Sequence, residues 1–137
     1  MLDRKKRGPV VLLPEGWPTP KGYANGIRTS GDLIFIAGQI GWDVNGKFAD
    51  GFVAQARKSL ENVMAVLVEG GGGPEHLARM TWYVADMEAY RNSLSELGVA
   101  YREIVGRHYP AMTLFEVKSL AEPLALIEIE ATAVVPD

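Results

Sequence analysis

The run Leu33-Ile34-Phe35-Ile36-Ala37 constrains this chain more than any other stretch, because the strand it predicts is apolar on both faces. Side chains alternate across a strand, so Leu33, Phe35 and Ala37 lie on one side while Ile34 and Ile36 lie on the other. Arg79-Met80-Thr81-Trp82-Tyr83-Val84 repeats the theme, with large side chains on both faces. Strands of this kind must be covered twice, and the helices of one small chain usually cover one face. The candidate for the second cover is another subunit.

The chain is long enough for one domain: 137 residues, 47% of them apolar, can build a sizeable core. Residues 1–20 read as an extended lead-in, stiffened by Pro14, Pro18 and Pro20 and with no room for a helix. Residues 21–137 read as the single domain, without repeat or linker. A formal net charge of −3, from 17 acidic and 14 basic residues, gives no general attraction to nucleic acid or to an anionic membrane. The absence of cysteine excludes disulfides and thiol catalysis and fits a reducing compartment. Arg4 to Arg7 read as a solvated basic tail, Val10 to Leu13 is too short for a signal core, and no apolar stretch approaches a membrane span. These features together predict a soluble cytoplasmic protein.

A first hairpin is expected from Ala24–Arg28, a turn at Ser30-Gly31-Asp32, and a return through Leu33–Ile40. Asn45-Gly46 marks a turn, and the Asp43 and Asn45 spacing fails as a calcium loop because the glycine comes two places early and no terminal glutamate follows. Asp50 is the expected N-cap of a helix from Phe52 to about Glu69. Its apolar stripe is Val53, Ala56, Leu60, Val63, Met64 and Leu67, with Lys58, Glu61 and Asn62 outside. Gly70 to Gly73 end that helix; no strand leads into them and no Gly-Lys-Ser/Thr follows, so they are not a phosphate cradle. Asp86 is expected to cap a second helix, with Tyr90, Leu94, Leu97, Tyr101, Ile104 and Val105 inward, closed by Gly106-Arg107-His108. With only His76 and His108 and no cysteine, zinc is not expected, and no serine-elbow motif or triad appears.

The last two strands, Tyr109–Val117 and Leu126–Val134, are expected to pair as a second hairpin. That pairing would set Glu116, Glu128 and Glu130 beside Met112 and Leu114. A carboxylate so placed is either a solvated group on a half-exposed sheet or one whose proton affinity desolvation has raised. The predicted class is α+β, with two helices on one face of a mixed sheet.

Several strings in order resemble the Rid family of reactive-intermediate deaminases, also known as the YjgF family and, less aptly, as L-PSP endoribonucleases. They are Ala37-Gly38-Gln39-Ile40, Gln55-Ala56-Arg57-Lys58-Ser59-Leu60-Glu61-Asn62-Val63, Thr81-Trp82-Tyr83-Val84-Ala85-Asp86, Tyr109-Pro110-Ala111 and Ile127-Glu128-Ile129-Glu130-Ala131. The resemblance covers roughly Lys21 to Val134. It implies a chorismate-mutase-like fold and a homotrimer, with the sheets around a central barrel and three clefts between neighbouring subunits. It also implies hydrolysis of imines and enamines without a cofactor or metal. Glu128 matches the family's water-positioning glutamate and Tyr23 its tyrosine. Gly38 matches its strand-end glycine, and Thr113 and Leu114 fall where the family lines the cleft.

One departure bears on substrate. Deaminating relatives carry an arginine directly after the Pro-Ala pair, where it grips the substrate carboxylate, and this chain has Met112 there. Methionine offers no donor, so a contact worth about 1.5–3 kcal/mol is missing and ordinary α-imino acids should bind poorly. Gly98 stands where the family has a helix asparagine. Arg28, Arg102, Arg107 and His108 are not expected to replace the clamp, because alternation aims none of them at the same cleft. Three functions are consistent with this pattern. They are hydrolysis of an imine, enamine or related metabolite lacking the usual carboxylate position; non-catalytic binding of a metabolite or partner protein by the trimer; and, least supported by an acidic chain, RNA cleavage.

Overall fold

The structure is a computed structural model and describes residues 8–137; the basic tail Arg4–Arg7 lies outside the described residues. Two short strands, β1 (Val10–Leu12) and β2 (Gly26–Arg28), pair antiparallel in a small sheet of their own. The main sheet contains β3 (Asp32–Ile40), β4 (Leu77–Val84), β5 (Ala111–Glu116) and β6 (Ile127–Val135), in the order β3-β6-β4-β5. Helix α1 (Phe52–Glu69) connects β3 to β4, through a 3₁₀ turn at Pro74–His76; α2 (Met87–Arg91) and α3 (Leu94–Ile104) connect β4 to β5. The class is therefore α+β, a mixed sheet with two main helices, as expected.

Both expected hairpins are absent. β2 pairs with β1 rather than β3, so part of the proline-stiffened lead-in is a strand. Among the strands of the main sheet β5 pairs with β4 alone, in parallel, and β6 inserts between β3 and β4, antiparallel to each. Burial explains the choice. Ile127, Ile129, Ala131 and Ala133 are buried, which demands a central position, whereas Thr113, Phe115 and Glu116 are exposed and suit an edge. Segment 117–126 is long enough to carry the chain past β4.

Helix α1 has the predicted bounds and buries Ala56, Leu60, Val63 and Leu67 against β3, β6 and α3. Each fully buried leucine or valine stabilises the fold by about 1.5–3 kcal/mol. Two corrections concern its polar residues. Gly51, not Asp50, is the N-cap, and no side chain caps the end. Asn62 is not outside: its Nδ2 donates to the carbonyls of Ile40 and Trp42, each at 3.0 Å. Gln55 is also buried, donating to Leu124 O at 3.1 Å and accepting from Leu126 N at 2.8 Å, which fixes the crossing segment that leads into β6.

The expected second helix is two pieces, broken at Asn92 and Ser93. Asp86 caps α2 as predicted, accepting from the Glu88 and Ala89 amides. Glu116 Oε1 accepts from Met87 N at 3.0 Å, so this carboxylate is a helix-end partner reaching from β5. Asp43 organises its loop as an Asx turn, accepting from Asn45 N and Lys47 N, and these bonds hold its carboxyl below the ordinary carboxylate range. No helix among the described residues is long and apolar enough to cross a membrane.

Candidate functional site: two surfaces on opposite faces of one sheet

Met112 and Leu114 lie beside Met80 and Trp82 in the parallel β4–β5 register, so they point to the face covered by the helices. Tyr23 is brought to the same place by an isolated bridge between Ala24 and Ala111, closed by Ala24 N donating to Pro110 O at 2.9 Å. Here a cavity of about 620 Å³ opens between β4, β5, the helices α2 and α3, and the loop around Tyr23. Its walls are mainly aromatic and aliphatic, and none of its lining residues is acidic.

The aromatic wall is held by short-range geometry. Tyr101 and Tyr109 stack with ring centroids 5.3 Å apart, and Tyr101 donates its hydroxyl proton to His108 O at 2.6 Å. Burial pushes the Tyr101 phenol well above its ordinary 10.0, and Tyr109 adds to the shift. Trp82 is buried and lines the cavity, and its indole Nε1–H has no acceptor among the described residues. Tyr90, expected to face inward, does so, packing on the core at the edge of this cavity; Leu94, also expected inward, lines the cavity but is exposed.

Glu128 occupies the opposite face. It is half-buried and lies across from Tyr83 on β4. Its carboxylate rests on Gly38, at the β-bulge in β3, so closely that a Cβ there would come within 2.6 Å of Glu128 Oε1. No hydrogen bond or ion pair holds the Glu128 carboxylate among the described residues. Its neighbour Glu130 is different, because it accepts from the Tyr83 hydroxyl, and that bond raises the Tyr83 phenol above its ordinary value. Tyr83 in turn meets Phe115 edge-on at 5.1 Å. Thr113 points to this face as well, next to Thr81.

The sequence-predicted residues thus fall into two groups. Tyr23, Met112 and Leu114 meet on the helix face, while Gly38, Thr113 and Glu128 lie on the other. Glu128 is not beside Met112 in one chain, because β4 separates the two strands and the side chains point to opposite faces. A further correction concerns the cations. Arg102, expected to lie elsewhere, lines the Met112 cavity together with Lys21. The available signal was its spacing: Leu94, Gly98 and Arg102 follow one another at four-residue steps along one helix face. No cluster of His, Cys, Asp and Glu able to hold a metal occurs among the described residues.

A sequence profile of the family described as Endoribonuclease L-PSP matches residues 18–135. A RutC family protein of Pyrococcus horikoshii is 36% identical over 126 residues, covering 90% of this chain and 95% of that one. The 2-iminobutanoate/2-iminopropanoate deaminase of Salmonella typhimurium is 33% identical over 129 residues, covering 90% and 96%. A solved structure of a Rid-family protein of unknown function from Yersinia pestis superposes with a TM-score of 0.82 at 30% identity, covering 93% of this chain and 99% of that one. With its profile match, its relatives and its sheet and helix arrangement in agreement, the chain belongs to the Rid family, the one described as Endoribonuclease L-PSP.

Proposed function

We propose that this protein hydrolyses a small imine, enamine or related reactive metabolite, in clefts completed by a second copy of the chain, with Glu128 orienting the attacking water. The reaction is simple in balance. For a neutral imine, water adds to the carbon, both of its protons pass to nitrogen, the C–N bond breaks, and a carbonyl compound and ammonia leave. A protonated imine is already electrophilic and already carries one of the protons its nitrogen needs, so only one water proton passes to nitrogen and the other is released to solvent. The protein must hold the imine, orient water and move that one proton.

The observation that carries this reading is the state of Glu128. Its half-buried carboxylate, set against a bare glycine and bonded to no other described residue, has its acceptor positions available for a water. The apolar cavity around Met112 suits the organic body of such a substrate. Because acid and cavity lie on opposite faces, one chain alone does not close the site. The open face of the sheet supports a second copy as the missing cover: Phe35 is 75% exposed and Leu33 59%. A homotrimer around a barrel of three such sheets, as the family resemblance implies, would bring the Glu128 face of one subunit to the cavity of the next. Met112 in the clamp position excludes ordinary α-imino acids as good substrates under this reading.

The test is Glu128→Gln, with ammonia release measured from aromatic imines generated in situ. Turnover should fall by a factor on the order of 10²–10⁴, the usual worth of a positioned acid or base. Undiminished turnover rejects the role given to Glu128.

A further inference from the structure

The helix-side cavity contains two positive side chains and no negative one. Lys21 enters from the loop before Tyr23, and Arg102 from the last turn of α3. The next residue on that helix, Glu103, is committed elsewhere, pairing with Arg57 of α1 at 2.8 Å. Neither Arg102 nor Lys21 has a hydrogen bond or ion pair with any described residue.

The course of the Arg102 side chain is set by the helix beneath it. It lies back over Gly98, one turn before it, where an added Cβ would come within 3.1 Å of Arg102 Nη1. Bare backbone at position 98 lets the guanidinium lie close to the helix surface, where a methyl group would shift it by only a few tenths of an ångström. Both residues are exposed, and no acid among the lining residues neutralises either cation, so an anion at this rim is favoured. A planar guanidinium can meet a carboxylate through two parallel bonds, which an ammonium cannot. The buried Trp82 indole N–H is a further donor without an acceptor among the described residues.

We infer that Arg102, assisted by Lys21, recognises a carboxylate on the molecule taken up by this cavity, and that this molecule is a small monocarboxylate with an aromatic or branched apolar body. The carboxylate sits at the rim on α3, and the body lies against Trp82, Met112 and Leu114. This rests on the hydrolase reading above and deepens it. The reacting carbon would be separated from the carboxylate by the apolar body instead of adjoining it, which is how a substrate can be anionic and still not be an ordinary α-imino acid. A volume of about 620 Å³ is ample for such a molecule.

The experiment is calorimetric titration of the full chain at low salt with 3-phenylpropionate and with its neutral amide, neither of which can be hydrolysed as an imine. The carboxylate should bind at least tenfold tighter than the amide. Arg102→Gln should weaken the carboxylate roughly ten- to a hundredfold and leave the amide unchanged, with Arg102→Lys recovering part of the loss. Thermal melts of each variant establish that the fold is retained. Equal affinity for both probes, no binding of either, an unaffected Arg102→Gln, or a Lys21→Met variant that carries the whole loss would each overturn the assignment. Glu128→Gln separates the two proposals: it should discriminate the probes as well as the parent does, whatever its turnover.

Discussion

On one face of the main sheet, Met80, Trp82 and Val84 lie under two helices and are buried; on the other, Phe35 and Leu33 are among the most exposed apolar side chains of the described chain. Both faces belong to the same four strands, and both are rich in aromatic and aliphatic residues. The difference is what each is packed against. The helix face is completed within the chain and includes a cavity that carries cations. The open face carries the half-buried Glu128, the Tyr83–Glu130 pair and an apolar margin. A face finished by its own helices contributes to the stability of the single chain, whereas the equally apolar face without a cover is the one to which the proposed function assigns a second copy. Here the acid stands on the second kind and the cavity on the first, so the proposed chemistry depends on assembly.

The contrast breaks most sharply at Phe35. Phe35→Asp should leave the packing within one chain intact, because the side chain is 75% exposed, yet it should abolish the proposed trimer and turnover together. Sedimentation of parent and variant checks this; a parent that sediments as a stable monomer, or a variant that remains trimeric, refutes the open-face cover. Next in size is Gly38→Ala. The added methyl would have to displace the Glu128 carboxylate, so turnover should fall by about two orders of magnitude while the melting temperature changes little. Retained activity would mean that the carboxylate does not act from its place on the bulge.

Smaller effects belong to the helix face. Tyr101→Phe removes a buried bond to the His108 carbonyl and should cost about 1 kcal/mol at neutral pH, read from urea unfolding. Its pH dependence has a definite sign. The folded phenol has the higher pKa, so its contribution is fully present below the unfolded value of 10.0 and is lost as pH rises beyond that value towards the folded one. The parent should therefore lose stability above about pH 10, and Tyr101→Phe should lose less over the same range. Smallest is Gly98→Ala, expected to stabilise α3 by about 0.5–1 kcal/mol, since the group it meets is the movable end of Arg102. A loss of stability would show that Arg102 is held more firmly than its lack of partners suggests.

What could be read in the sequence was what is local. Helix α1 follows from a stripe of apolar residues at helical spacing, and the Asp86 cap from a residue type suited to that place. The family resemblance likewise rested on short strings that keep their order. Strand neighbours were not readable, because adjacency in sequence suggested Tyr109–Val117 with Leu126–Val134, while burial of Ile127 and Ile129 put β6 at the centre. The location of Met112 relative to Glu128 failed with it, since alternation assigns faces within a strand but not across an unknown pairing. The polar residues Gln55 and Asn62 bind backbone far away in sequence, and no periodicity announces that. Of the cavity, Tyr23 and Met112 meet through the Ala24–Ala111 bridge, a long-range contact invisible to any local pattern.

The insertion of β6 between β3 and β4 also governs the order in which the molecule can form. The three strands that precede it all point the same way, and β3 has no partner in that sheet other than β6. Until the latest strand arrives, the nascent sheet is a gap with a ribbon on either side, and its greasy margins are open to any passing strand. Closure must therefore wait for a contact between distant parts of the chain, which slows refolding and lengthens the interval in which clumping competes with it. A partner that shields this unfinished slot would raise the yield of native protein more than one that merely speeds helix growth.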